Sequence, residues 1–98
     1  MKSILICLIS IVSTTIYAQN LDRGAQLYGT CIQCHGEKGL GVEAQKGPKI
    51  AGQHSWYIHT QLTNFKSKKR INEKMYPHIK NLSDQDFKDL AAFVSQLK

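Results

Sequence analysis

The chain has 98 residues, so we expect one domain at most. It carries 13 Lys and Arg residues against 7 Asp and Glu residues, a formal net charge of +6, which favours anionic partner surfaces. No nucleic-acid recognition motif accompanies this charge, so we do not expect the chain to bind nucleic acid.

The first 18 residues have the features of a cleaved export signal. Lys2 gives a positive start, residues 4–12 are almost all apolar, and Ala18 suits the last position before the cut. The apolar run is shorter than the roughly 20 residues that span a bilayer, so we expect no membrane span. We therefore predict a signal peptide over 1–18 and a mature domain over 19–98. We expect the mature domain to lie in the periplasm of a Gram-negative bacterium.

The mature domain is predicted to begin with a helix from about Asn20 to Thr30. Asn20 can cap this helix, and Asp22 suits its first turn. Gly24 lets a second backbone approach the helix closely. We therefore expect another helix to cross it near Gly24 and Tyr28.

A cysteine motif, Cys31-Ile32-Gln33-Cys34-His35, follows this helix directly. C-x-x-C-H is the attachment sequence of c-type haem. Two thiols at this spacing reach both vinyl groups, and the following histidine can give an imidazole nitrogen to the iron. We therefore predict one haem c, bonded to Cys31 and Cys34 and ligated by His35. A cofactor that also serves as core would suit so short a domain.

Three other interpretations of the cysteine pair compete with haem attachment. A structural zinc site wants four ligands, usually as two separated pairs, and the sequence has one pair. A thioredoxin-like dithiol needs a βαβ setting, which the surrounding pattern does not provide. A plain disulfide that closes a loop of only two intervening residues would stabilise the fold very little.

Beyond the motif, a glycine-rich loop is predicted over 36–52 and a second helix over 53–67. We expect the carbonyl of Pro48, in this loop, to accept the second ring N–H of His35. Trp56 and Tyr57 open the helix, where they would pack in the core or hydrogen-bond a haem propionate. His54 and His59 are expected as surface or capping residues.

A basic run follows the second helix and is formed by Lys66, Lys68, Lys69, Arg70 and Lys74. It is either a solvated surface or a docking patch that steers an acidic redox partner, and its position favours docking.

A loop predicted over 72–81 holds Met75, the one methionine after residue 18. Low-spin c-type electron carriers need a second iron ligand, and a thioether raises the reduction potential. We therefore predict Met75 as the distal ligand and His35 as the proximal one. His78 is the rival distal ligand, and His54 and His59 are weaker rivals.

The last helix is predicted over 84–97. Ser83 can cap it with Asp86 at the third helical position, and its apolar residues make one stripe.

These motifs together resemble class I cytochromes c, in particular monohaem cytochrome c553 and one half of dihaem cytochrome c4. The resemblance covers nearly all of residues 20–98 and rests on C-x-x-C-H-G, Gly47–His54, Trp56-Tyr57, Gln61-Leu62, Lys69-Arg70, Met75 and Leu82–Asp86. It implies an all-α fold, with three main helices and loops wrapped around one covalently bound haem. His35 and Met75 match the two axial ligands of the family. The chain has one C-x-x-C-H motif where the dihaem relatives carry two.

The resemblance also implies a function: a periplasmic one-electron carrier, and not an enzyme. Such a carrier shuttles electrons between respiratory redox proteins, toward a terminal oxidase, and its partners are expected to have acidic docking surfaces. Two alternatives remain open at this point. The chain could be a haem-bearing subunit of a larger oxidoreductase complex, or a haem peroxidase or sensor if the sixth ligand is labile.

Overall fold

A computed structural model of the chain describes residues 3–10 and 19–98. Residues 3–10 have no regular secondary structure, and the predicted cleavage site after Ala18 lies outside the described residues. In the described residues no helix has the length and apolar character needed to cross a membrane. The helices are α1 (Leu21–Tyr28), α2 (Ile32–His35), α3 (Ser55–Ser67), α4 (Tyr76–Ile79) and α5 (Asp84–Ser95).

The all-α prediction is confirmed, because the longer helices α1, α3 and α5 are the three predicted from the sequence. Within residues 19–98 the only strand-like pairing is one isolated antiparallel bridge, between Val42 and Gly47. It closes a turn in the loop between α2 and α3, where Glu43–Gln45 forms a short 3₁₀ helix.

Side chains cap the first and last helices as predicted. The Asn20 side chain accepts a hydrogen bond from the backbone N–H of Arg23 (3.0 Å), at the start of α1. Ser83 and Asp86 form a complete capping box at the start of α5, with both hydrogen bonds at 3.1 Å. These caps satisfy backbone donors that the first helical turn leaves without partners.

The crossing of α1 and α5 holds the two ends of the domain together. At Gly24 a side chain would overlap the backbone carbonyl of Asp89 and would lie 2.8 Å from Cβ of Phe93. One turn further along α1, the rings of Tyr28 and Phe93 pack with centroids 5.4 Å apart. The predicted crossing near Gly24 and Tyr28 is therefore confirmed.

The hydrophobic core lies between these two helices and α3. Its buried members are Tyr28, Leu62, Phe65, Ile79, Phe87, Leu90 and Val94. Cys31 and Met75 are half-buried and pack against this cluster, so the core continues into the predicted haem site.

Two expectations about local structure are wrong. The predicted loop over 72–81 contains the short helix α4, because Pro77 lies in the first turn, where its missing N–H costs nothing. Buried Ile79 attaches this helix to the core. Core packing of Trp56 is also wrong, since 66% of this residue is exposed.

Candidate haem-binding site

A cavity of about 310 Å³ opens between the loop that follows α2 and helices α3 and α4. Ligand pockets in proteins commonly measure about 300–1,000 Å³. The walls are mostly apolar, and all four predicted site residues, Cys31, Cys34, His35 and Met75, line them. The structure thus brings together residues that lie up to 44 positions apart in the sequence.

The two cysteines line this cavity and lie within a single turn of the chain. Cys31 is the N-cap of α2, and its carbonyl accepts hydrogen bonds from the N–H groups of Cys34 (3.3 Å) and His35 (2.9 Å). Both cysteine residues are half-buried, and burial raises the pKa of the Cys31 thiol. The backbone of Gly47 packs so tightly against Cys34 that a side chain at Gly47 would overlap its carbonyl.

His35 is buried, and one nitrogen of its ring is fixed. Its Nδ1 lies 2.8 Å from the carbonyl oxygen of Pro48. Because a carbonyl oxygen only accepts, Nδ1 donates its proton there, which leaves Nε2 with a lone pair for a metal. The expected hydrogen bond to Pro48 is therefore confirmed.

Met75 lies at the N-terminus of α4 and is held there by Asn72. The Asn72 side-chain oxygen accepts hydrogen bonds from the backbone N–H groups of Lys74 and Met75, both at 3.1 Å. The Asn72 carbonyl also accepts from the N–H of Tyr76 (3.0 Å). Hydrogen bonds within the chain therefore fix the position of the Met75 backbone at the cavity wall.

The rival distal ligands differ in their positions. His78 is exposed and also lines the cavity, one helical turn after Met75. His59 pairs with Asp84 at 2.7 Å, and the His54 ring stacks on Trp56 with centroids 5.8 Å apart. Neither His54 nor His59 lines the cavity, as expected for surface residues.

The structure places further residues in this wall. Tyr57 and Gln61 lie one turn apart on α3, and Gln53 lies two residues before the helix; all three line the cavity. Of these, the sequence indicates only Tyr57 for a contact with haem. Arg70, which the sequence places in the basic run, lines it too. The interval of four between Tyr57 and Gln61 is the signal that could have found these polar residues on one face of α3.

The donor set fits a covalently held haem. Two adjacent thiols, an imidazole with its outer nitrogen already bonded, and a thioether face one mostly apolar space. Zinc is a poor fit, because residues 3–10 and 19–98 hold no group of three or more His, Cys, Asp or Glu side chains that could bind a metal ion.

The sequence model of the cytochrome c family matches residues 21–98. The chain belongs to the cytochrome c family. Membership implies a covalent haem c, for which Cys31 and Cys34 provide the C-x-x-C-H thiols. The resemblance to class I cytochromes c, drawn from the sequence, is confirmed.

Individual relatives agree with this assignment. Cytochrome c4 of Thiocapsa roseopersicina is 45% identical over 69 residues, which cover 70% of this chain and 35% of that protein. Cytochrome c-554(548) of Halomonas halodenitrificans is 33% identical over 75 residues, covering 74% of this chain and 89% of that protein. The solved cytochrome c4 of Acidithiobacillus ferrooxidans superposes with a TM-score of 0.73 at 32% identity, covering 87% of this chain and 54% of that one. This cytochrome c therefore spans about a third to a half of the cytochromes c4 that it matches.

Proposed function

We propose that this cytochrome c is a periplasmic one-electron carrier that shuttles electrons between respiratory redox proteins, toward a terminal oxidase. Its haem is bonded to Cys31 and Cys34, with His35 and Met75 as iron ligands. The observation that carries this proposal is that one mostly apolar cavity is lined by all four residues. The signal-like sequence over 1–18 supports export, and therefore the periplasmic location.

The residues around the ligands suit rapid electron transfer. When bound, haem supplies a one-electron couple whose potential depends on its ligands and surroundings. The hydrogen bond from His35 to Pro48 fixes the ring tautomer and raises the basicity of the ligating nitrogen. Asn72 fixes the backbone at Met75. Because these ligands would keep the same positions in both oxidation states, the reorganisation energy of electron transfer should be small.

A docking surface for an acidic partner is best supported at the mouth of the cavity. Lys46, Lys49 and Lys74 are exposed and line the cavity, on the loop after α2 and on the segment before α4. We call these three residues the rim lysines. No described side chain forms a hydrogen bond or an ion pair with their ammonium groups. Their charges are therefore available to an incoming anionic surface.

The residues of the basic run differ in whether their charged groups have partners within the domain. Lys66 donates to the carbonyl of Leu82, and the Lys68 ammonium lies 4.4 Å from the centroid of the Tyr76 ring. These two lysines already have partners within the domain. The rim lysines, which include only Lys74 from the run, are therefore the better candidates for docking.

Reversible electrochemistry of the mature holoprotein tests the carrier function. We expect a single one-electron wave, with the far-red charge-transfer band of Met-ligated ferric haem present and little binding of added cyanide. Rapid cyanide binding with no far-red band would indicate an open sixth position and would overturn the carrier assignment. Fractionation of cells into periplasm, membrane and cytoplasm tests the location, and haem staining in the cytoplasmic fraction alone would contradict it.

A further inference from the structure

Most of helix α3 is free of charged residues, although it lies at the surface. Residues 50–65 contain no Asp, Glu, Lys or Arg, in a chain in which 20% of the residues are charged. The helix begins at Ser55, so its first charged residue is Lys66, close to its C-terminal end. The centres of protein–protein contacts are depleted of charge and enriched in aromatic residues. Helix α3 therefore has the composition of a contact surface.

Four residues of α3 share its outward side, because they follow one another at intervals of four, three and four. They are Trp56, Thr60, Thr63 and Ser67, all of which are exposed, and we call them the neutral face. The hydroxyl of Thr60 donates to the carbonyl of Trp56, and that of Thr63 to the carbonyl of His59, both at 2.8 Å. Covering these two hydroxyl groups would therefore leave no donor without a partner.

Trp56 is the large apolar residue of the neutral face. It is 66% exposed, its ring stacks on that of His54 at 5.8 Å, and it meets the Tyr57 ring edge-on at 6.0 Å. Tryptophan is among the residue types that contribute most to the energy of protein interfaces. Because two neighbouring rings already orient this indole, it would lose less side-chain entropy when a partner covers it.

The charge of the chain indicates which partner suits the neutral face. An acidic redox protein would be attracted to the rim lysines, which lie outside this face. A second copy of the chain has the opposite requirement, since two copies with a formal net charge of +6 repel least where neither presents a charge. The charges beside the face have opposite signs, namely Lys66 on α3 and Asp84, which pairs with His59.

The neutral face is complementary to itself when two copies of α3 pack antiparallel. It has a large ring near its N-terminal end and two small side chains, Thr63 and Ser67, toward its C-terminal end. Trp56 and Thr63 lie about 10 Å apart along the helix. A two-fold axis midway between them, near Thr60, places Trp56 of each copy over Thr63 of the other. The basic C-terminal end of each α3 then faces the uncharged N-terminal end of the other.

We propose that two copies of this cytochrome c associate through the neutral face of α3, packed antiparallel, with Trp56 of each copy against Thr63 of the other. One helix face is small, so this contact belongs to the weak, transient class of protein interfaces. The association goes beyond the proposed carrier function and does not depend on it.

Sedimentation equilibrium of the mature holoprotein, from micromolar to millimolar concentration, tests the association. We expect wild type to pass from monomer to dimer, and added salt to strengthen the dimer because it screens the repulsion between two cationic copies. Trp56→Lys and Thr63→Lys should each weaken the association about tenfold or more, since each places cations within the contact. The control Leu40→Lys adds the same charge at an exposed apolar position outside α3, and its association should match wild type.

Two further measurements locate the contact on α3. Trp56 is the one tryptophan of the chain, so its indole N–H gives a single NMR signal. In the ferrous holoprotein this signal should move with protein concentration in wild type and in Leu40→Lys, and should stay fixed in Thr63→Lys. Under mild oxidation, Thr60→Cys should form an intermolecular disulfide faster than Gln26→Cys, an exposed position on α1.

A wild-type protein that stays monomeric at millimolar concentration would overturn the proposal, whether or not another protein covers the neutral face. A dimer that persists unchanged in Trp56→Lys and Thr63→Lys would also overturn it, because the contact would then lie elsewhere. Equal disulfide rates for the two cysteine variants would overturn the antiparallel arrangement. The far-red band of each ferric variant shows whether the iron ligands are intact, so a failure of the proposed function is distinguished from a loss of association.

Discussion

The α-carbon of Gly24 packs directly against the backbone carbonyl of Asp89, where α1 crosses α5. The same aspartate uses its buried carboxylate to accept hydrogen bonds from the backbone N–H of Asn20 (2.8 Å) and from Gln85 (2.9 Å). Asp89 therefore limits how closely α1 approaches α5, and it also binds the backbone at the start of α1. Because the C-x-x-C-H motif begins three residues after α1 ends, this crossing also positions the haem site.

Replacing Gly24 with Ala should destabilise the holoprotein by about 2–3 kcal/mol, because the new methyl group would overlap the Asp89 carbonyl and force the helices apart. Thermal or urea unfolding followed by circular dichroism measures this change. The matched control is Gly29→Ala, where the methyl group would meet only the carbonyl of Gln26, at 3.2 Å. Equal losses for the two variants would show that the close crossing does not matter for stability.

The pairing of His59 with Asp84 should affect stability in acid. The hydrogen bond from His59 lowers the pKa of the Asp84 carboxyl, with Lys88 as a further contributor. The unfolded chain therefore takes up a proton near pH 4, before the folded one does. This contribution to stability is present above about pH 4 and is lost as the pH falls through the lower folded-state pKa.

Unfolding temperatures measured from pH 6 to pH 2 test this pairing. We expect Asp84→Asn to lower the unfolding temperature above pH 4 and to approach wild type at the acid end. Asp22→Asn is the control, since Asp22 is also an exposed acid in a first helical turn but has no side-chain partner in the described residues. A constant difference between Asp84→Asn and wild type over the whole range would be inconsistent with the lowered pKa.

If Met75 is the distal ligand, replacing Met75 and replacing His78 should have different effects on the haem. Met75→Ala should abolish the far-red band of the ferric protein, lower the reduction potential and admit added cyanide, because the thioether raises the potential and fills the sixth position. His78→Ala should retain the far-red band and should change the reduction potential only slightly, as expected for the replacement of an exposed residue. Optical spectra and voltammetry of both variants decide, and loss of the band in His78→Ala with retention in Met75→Ala would reverse the ligand assignment.

Neutralising two of the rim lysines should slow electron transfer to an anionic oxidant. The double variant Lys46→Gln/Lys74→Gln should react more slowly with hexacyanoferrate(III) at low ionic strength, and the difference should shrink as salt screens the charges. Stopped-flow oxidation of the ferrous protein measures the rate. Lys38→Gln/Lys80→Gln removes the same charge from exposed positions outside the cavity wall. If both double variants slow the reaction equally, only net charge matters and no rim surface exists.

The sequence predicts those parts of the fold that are encoded locally. Asn20 and Ser83 cap helices with side chains that bond within three residues, so their patterns are visible in a single segment. The haem thiols are likewise adjacent in one motif. The crossing at Gly24 could be predicted because a glycine in an amphipathic helix with an apolar side indicates a close backbone approach.

Other contacts, which depend on how segments pack together, could not be predicted in this way. Arg70 looks like one cation in a basic run until the turn after α3 brings it back onto Gln61 and Phe65. Pro77 indicates a loop until Ile79 is seen to anchor a helical turn in the core. Trp56 has a core-like side chain, but its position on α3 leaves it exposed. In each case, tertiary packing decided the outcome.

Covalent attachment through Cys31 and Cys34 is the central claim, since the ligands, the core and the carrier function all depend on it. The most direct test is pyridine haemochrome spectroscopy of the mature protein after extraction with acidified organic solvent. We predict that the haem stays with the polypeptide and gives the spectrum of two thioether bonds, and that Cys31→Ala and Cys34→Ala each give that of one. Haem that leaves entirely with the solvent, or a colourless protein made alongside a working maturation system, would contradict the account.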